Sequence, residues 1–172
     1  MENRIAVSSS LESIAQAIVG YDGYEQSLSR TGSDQRIRQH LQQKIRGLLK
    51  ALEATPAATE AEDQARLSEL IKSTKRKLAT IFQSLSSPTY IGGGFFISEN
   101  LAARRLERVY EFEQIMLREV ENLGLELAAM CSHPLAKAVF EDHFLHIQDF
   151  IDTFNQSLFE REALLLDEEY MV

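Results

Sequence analysis

The chain has 172 residues, 44% hydrophobic and 26% charged, with one cysteine and three prolines, which is too apolar for a disordered polypeptide and ordinary for a single globular domain. One cysteine excludes an internal disulfide, and no apolar run approaches the ~20 residues that a membrane-spanning helix needs. The net charge of −8 is unevenly spread: residues 1–90 hold twelve Lys and Arg against ten Asp and Glu, and residues 91–172 hold six against sixteen, so the C-terminal half repels nucleic acid and anionic lipid.

Met1 to Ser10 reads as a lead-in without the charged-then-apolar build of a secretion signal. With the unpaired cysteine, this makes the cytoplasm the expected location. Ser8, Ser9 and Ser10 offer an N-cap to a first helix whose inward face is Leu11, Ile14, Ala15, Ile18, Tyr21 and Leu28. Gly20 and Gly23 fall inside that helix, each at a cost of up to ~1 kcal/mol relative to Ala, and favour a close helix crossing over a kink. Thr31-Gly32-Ser33-Asp34 then reads as a stop followed by a start, with Gly32 closing one helix and Ser33 capping the next. The second helix runs to about Glu53 and turns Ile37, Leu41, Ile45, Leu48 and Leu52 inward. Thr59 and Glu62 have capping-box spacing, and a third helix follows to about Leu85 on Leu67, Leu70, Ile71, Leu78, Ile81, Phe82 and Leu85.

Residues 86–97 have no helical period. Pro88 stops the third helix, and Gly92, Gly93 and Gly94 open backbone angles closed to other residues. The flanking Tyr90, Ile91, Phe95, Phe96 and Ile97 either tuck under the fold and cap its end, the favoured outcome, or stand out as an adhesive patch for a partner. Ser98 is placed to cap the next helix, with Ile97 as its hydrophobic staple.

The remainder reads as two long amphipathic helices, about 98–132 and 134–166, meeting near Ser132, His133 and Pro134. The first carries Leu106, Val109, Phe112, Met116, Val120, Leu123, Leu127 and Met130 on one face, and the second carries Phe140, Phe144, Ile147, Ile151, Phe154 and Leu158. Facing seams of this kind interdigitate when the helices fold back on each other. Leu145, Phe150 and Phe159 lie off the second seam and ask for further contacts. Asn122-Leu123-Gly124 leaves open whether the first arm is continuous. Residues 168–172 form an acidic, frayed tail. The expected fold is all-α, a single domain over 1–172: an antiparallel up-and-down helical bundle of about five helices, the last two paired as a hairpin.

The chemistry-bearing residues fall short of known constellations. A di-iron bundle needs a Glu-x-x-His pair on each of two helices, and none is present. His143 and His146 lie one turn apart and are the weak metal candidates, yet His146 falls largely outward, and Asp142, His146 and Asp149 share a stripe that surface ion pairing explains. His40, flanked by Lys44, has the setting of a phosphate acceptor, but Gln43 and Lys44 stand where such modules place a Lys and a small residue. Cys131, Ser132 and His133 adjoin a helix start that can activate a thiol, without the orienting group and oxyanion hole of a catalytic site. No Lys-Ser or Lys-Thr follows the three glycines, so they are not a nucleotide loop. Lys72 to Lys77 is a dense basic cluster that reads as a solvated face or as a mate for the acidic helices of another subunit.

The expected function is therefore non-enzymatic: a helical protein–protein interaction module, working as an adaptor, chaperone or regulatory subunit and forming homo-oligomers, with no cofactor, nucleic acid or membrane partner. The alternative is a ligand- or metal-binding sensor with an internal site walled by Tyr110, Phe112, Phe140 and Phe144.

Overall fold

The computed structural model describes residues 2–99, 101–131 and 135–166. Among these it is all-helical, with α1 (Glu2–Ala17), α2 (Ser27–Glu53), α3 (Gln64–Ser86), the one-turn α4 (Gly94–Ile97), α5 (Ala103–Met130) and α6 (Lys137–Leu166). A 3-10 turn at Ala61–Asp63 leads into α3. No helix among the described residues is long and apolar enough to cross a membrane. The tail expected at 168–172 and the junction at Ser132, His133 and Pro134 lie outside the described residues.

Helix boundaries depart from expectation wherever glycine was the guide. α1 begins at Glu2, within the expected lead-in, and ends at Ala17. The Ser10 hydroxyl lies inside this helix and donates to Gln114 Oε1 of α5 at 3.3 Å, so Ser10 serves a tertiary contact and not a cap. Gly20 (φ +77°) and Gly23 (φ +73°) adopt left-handed backbone in the connector after α1. They end the helix; they are not a crossing within it. Gly32 does the reverse: α2 runs through it unbroken, because its neighbours Arg30, Ser33 and Asp34 are buried and held from across the fold. Those contacts outweigh the ~1 kcal/mol that an interior glycine costs. α5 is likewise continuous through Gly124, where an added Cβ would lie 3.9 Å from Leu48 Cδ2. Neither expected cap forms: α3 starts at Gln64, α5 starts at Ala103, and Ser98 instead follows the last turn of α4.

The apolar seams pack as their spacing dictates. On α6, Phe140, Phe144, Ile147, Ile151, Phe154 and Leu158 are all buried, as are Leu106, Val109, Met116, Val120, Leu123, Leu127 and Met130 on α5 and Ile37, Leu41, Ile45, Leu48 and Leu52 on α2. Full burial of each such side chain contributes roughly 1.5–3 kcal/mol, so these three rows dominate the core. Contacts between α5 and α6 run in opposite order, Arg105 with Leu164, Glu113 with Arg161 and Glu126 with His143. Those between α2 and α3 do the same, Arg38 with Leu85 and Glu53 with Lys75. α3 and α6 run in the same order, Arg66 with Glu141 and Lys77 with Asp152, and a single parallel bridge between Ala58 and Leu135 lies ahead of both. α4, in the connection from α3 to α5, packs on α2 and α6.

Two glycine substitutions should act oppositely. At Gly23 a Cβ would lie 2.6 Å from both Leu11 Cδ1 and the Tyr110 hydroxyl on a backbone with φ +73°, so Gly23→Ala should destabilise the fold by about 1–3 kcal/mol. At Gly32 a Cβ meets nothing within 4 Å, and Gly32→Ala should stabilise it by about 0.5–1 kcal/mol. Urea unfolding midpoints of the two variants check both signs.

Candidate functional site

The seams carry four charged residues in phase with their apolar neighbours. The α2 series extends backward from Ile37 to Asp34 and Arg30, the α5 series passes from Val109 through Glu113 to Met116, and the α6 series from Leu158 through Arg161 to Leu165. Arg30, Asp34 and Glu113 are 0% exposed and Arg161 is 1% exposed. Glu113 holds the place expected of Phe112, which is only partly buried and lies beneath Arg108 at 5.0 Å.

These side chains converge on one network. Arg161 Nη2 donates to Asp34 Oδ1 at 2.7 Å and to the Tyr24 hydroxyl at 2.9 Å, its Nε donates to Glu113 Oε1 at 2.8 Å, and its Nη1 donates to the Tyr90 hydroxyl at 3.0 Å. Tyr21 and Tyr24 donate their hydroxyls to the two oxygens of Glu113, and Tyr90 donates to Asp34 Oδ1 at 2.9 Å. Arg38 Nε, near the edge, donates to Asp34 Oδ2 at 2.8 Å. The Tyr24 amide donates to the Tyr110 hydroxyl at 2.7 Å. Arg30 spends its donors on main-chain carbonyls, those of Tyr24 at 2.7 Å, Phe95 at 2.8 Å and Ser98 at 2.6 Å. Two guanidiniums thus face two carboxylates, and a third ties the loops together.

Burial fixes where the protons sit. Desolvation, reinforced by Glu113, pushes the Tyr21 and Tyr24 phenols well above their ordinary value, and burial pushes Tyr90 and Tyr110 up to about 12, so all four remain donors at neutral pH. Burial opposes the charge on Arg161, but Tyr24, Glu113, Tyr90 and Asp34 around it prevail and hold the guanidinium firmly protonated. Burial also raises the Glu113 carboxyl, against the pull of Arg161 and the two phenols. Both oxygens of each carboxylate are engaged, and Asp34, Glu113 and Arg161 are at most 1% exposed. The arrangement works as a lock. It joins the 18–26 connector, α2, the 87–102 connection, α5 and α6 at one end of the molecule.

The glycine-aromatic loop lies over this lock and divides by residue. Tyr90, Phe95 and Phe96 tuck in at 1%, 0% and 6% exposure, with Tyr90 stacked on Phe96 and Phe95 edge-on to Tyr24. Ile91 and Ile97 point outward at 46% and 73%. The loop is therefore both cap and patch. Of the nine exposed large apolar residues among the described ones, five belong to segments meeting at this end: Val19, Leu28, Ile91, Ile97 and Leu166. Those segments are tied together by the bonds of Arg30 to Phe95 and Ser98, of Arg36 to Val19, and by the approach of Gly93 to Leu165.

The remaining candidates are dispersed. His143 and His146 direct their Nδ1 atoms at one oxygen, Glu126 Oε1, at 2.8 and 3.1 Å. No group of three or more His, Cys, Asp or Glu among the described residues is arranged to hold a metal ion. His40 is partly buried, and burial with Lys44 nearby holds its imidazole below the usual range. Cys131 is partly buried at the C-terminus of α5, and its expected companions Ser132 and His133 lie outside the described residues. In the basic cluster Lys75 pairs with Glu53 at 2.8 Å and Lys77 with Asp152 at 3.6 Å. Tyr21, Tyr24, Arg30, Asp34, Glu113 and Arg161 were missed as a site by sequence reasoning, although charges in phase with an apolar seam were the available signal. No family model, no curated protein and no solved structure matches the chain.

Removing Arg161 would leave the buried Glu113 without a cation and Asp34 with Arg38 alone, so Arg161→Met should cost about 3–5 kcal/mol. Adding Glu113→Gln to that variant should recover part of the loss, since Asp34 keeps Arg38 and the carboxylate without a cation is gone; calorimetric unfolding of the single and double variants checks this. The hydrogen bond His146 donates to Glu126, and then the charge of that carboxylate, raise the pKa of the exposed His146. A raised folded-state pKa gives stability that is complete below the unfolded value and lost as pH rises through the folded one. Glu126→Gln should therefore lower the His146 pKa in an NMR titration, and the stability difference between the two proteins should shrink as pH rises above neutrality.

Proposed function

We propose that the chain is a non-enzymatic helical interaction module, an adaptor, chaperone or regulatory subunit that self-associates. The observation that carries this reading is the end described above, where Val19, Leu28, Ile91, Ile97 and Leu166 are turned outward from a base fixed by the charge network. Large apolar groups gathered in one region are characteristic of interaction surfaces. The opposite order of contacts along α5 and α6 supports describing these helices as the hairpin of an antiparallel up-and-down bundle. A sensor with an internal aromatic site finds less support: Tyr110, Phe140 and Phe144 are 0–1% exposed in the core, and the pocket of about 280 Å³ that Phe112 borders is lined by none of them but by Arg104, Arg105, Arg108, Glu160 and Leu164.

The test is light scattering on the wild-type protein and on an Ile91→Ser, Ile97→Ser variant. Each side chain is worth roughly 1.5–3 kcal/mol if fully covered, so association should weaken at least about tenfold with the melting temperature unchanged. Wild-type protein that is monodisperse and monomeric, and that retains no protein partner through purification, would remove the reading.

A further inference from the structure

A groove between α2 and α3 has a chemistry unlike the apolar end. Leu49, Leu52 and Ile71 form its floor, Lys72, Lys75 and Arg76 stand along it, and it encloses about 660 Å³ of open space. Lys75 is engaged by Glu53 at 2.8 Å. Lys72 and Arg76 make no ion pair among the described residues. At one end of the groove the Thr55 hydroxyl oxygen is buried without a hydrogen-bond partner among the described residues. A buried polar atom left unmatched costs about 1–3 kcal/mol, and an incoming polar group would relieve it. The cations all stand on the α3 wall, so floor and wall together call for an occupant that is apolar along its centre and acidic along one flank.

The outward face of α6 has that pattern. Asp142, Leu145, Asp149, Asp152, Gln156 and Phe159 recur at steps of three and four and are all exposed, Leu145 at 61% and Phe159 at 68%. Asp142 and Asp149 lie at about 5 and 6 Å of helix rise before and after Leu145 and on the same side of it, within reach of long Lys and Arg side chains along one wall of a groove. The inward face of the same helix is filled by its own chain, so the outward face is the one left to offer. Basic groove and acidic ridge are the two halves of the charge asymmetry between residues 1–90 and 91–172.

We infer that a second copy of this chain lays the Asp142–Phe159 face of its α6 into the α2–α3 groove, with Leu145 on the Leu49, Leu52 and Ile71 floor and Asp142 and Asp149 against Lys72 and Arg76. This rests on the reading of the chain as a self-associating module and names the surfaces that do it. Because groove and ridge are different surfaces, the contact is head-to-tail and propagates into a ring or an open chain.

Charge reversal tests it by sedimentation velocity. Lys72→Glu with Arg76→Glu, and separately Asp142→Lys with Asp149→Lys, should each weaken self-association at least about tenfold, because like charges then meet. An equimolar mixture of the two variants should restore it, since each groove again faces a ridge of opposite sign. Should either variant fail to fold by circular dichroism, the wild type alone decides: its association should fall at least about tenfold between roughly 0.05 and 0.5 M salt. Association that ignores both reversals and salt overturns the inference, and if it is then lost in the Ile91→Ser, Ile97→Ser variant the apolar end stands as the interface without the groove. A monomeric wild type that binds a different acidic protein in the groove also overturns the inference while leaving the interaction-module reading in place.

Discussion

Arg161 has to satisfy two buried carboxylates, Asp34 and Glu113, with a single guanidinium, and the arrangement of one whole end of the molecule follows from how it does so. Taking three charges out of water costs several kcal/mol each, and their mutual attraction offsets this only when geometry is good and the leftover donors and acceptors are filled. Here the tyrosines fill them. Tyr21, Tyr24 and Tyr90 come from the two connectors, so those connectors must lie against the helices for the charges to be tolerated. Apolar contact is indifferent to small slips along a helix; a bond of 2.7 or 2.8 Å is not. The lock therefore sets register where the surrounding core sets only compactness.

This division of labour explains why the glycine-aromatic loop can be buried and exposed at once. Arg30 grips the carbonyls of Phe95 and Ser98 on either side of the last turn of α4, which turns Phe95 and Phe96 onto the core and leaves Ile97, between the two gripped carbonyls, directed to solvent. The outward residues inherit their placement from main-chain bonds and owe nothing to packing of their own. A surface built this way meets a partner without ordering itself first, which lowers the entropic cost of association. The basic groove and the acidic ridge are similarly carried on long helices, whose side-chain positions are set by the core beneath them.

The fold was legible in the sequence to the extent that it depends on periodicity. Phe140 to Leu158, Ile37 to Leu52 and the α5 series apart from Phe112 face inward as their steps of three and four require. Legibility failed where one residue's fate depended on residues distant in the chain. Gly32 looked like a helix end because its local cost is real; Asp34, two positions on, is held by Arg161 and Tyr90, and no local rule contains that fact. Gly20 and Gly23 looked tolerable inside a helix because Ile18 and Tyr21 continue its apolar face, yet both residues are buried by a connector that turns back on the core. For the site, attention to His, Cys and glycine motifs drew the eye from Arg161 and Glu113, whose meaning lay in being charged where the period demands a hydrocarbon. Assigning Phe112 to the α5 seam instead of Glu113 was one residue in error and concealed the network.

The bonds of Arg161 span wide intervals of sequence, 127 residues to Asp34 and 137 to Tyr24. A polypeptide is made from its N-terminus, so α2 and most of α5 leave the ribosome while the guanidinium they await has not yet been translated. An unpaired carboxylate resists desolvation by several kcal/mol, and Asp34 and Glu113 thus oppose any premature collapse of this end during synthesis. Its closure waits for α6, whose single arginine completes a network that the earlier helices cannot close among themselves.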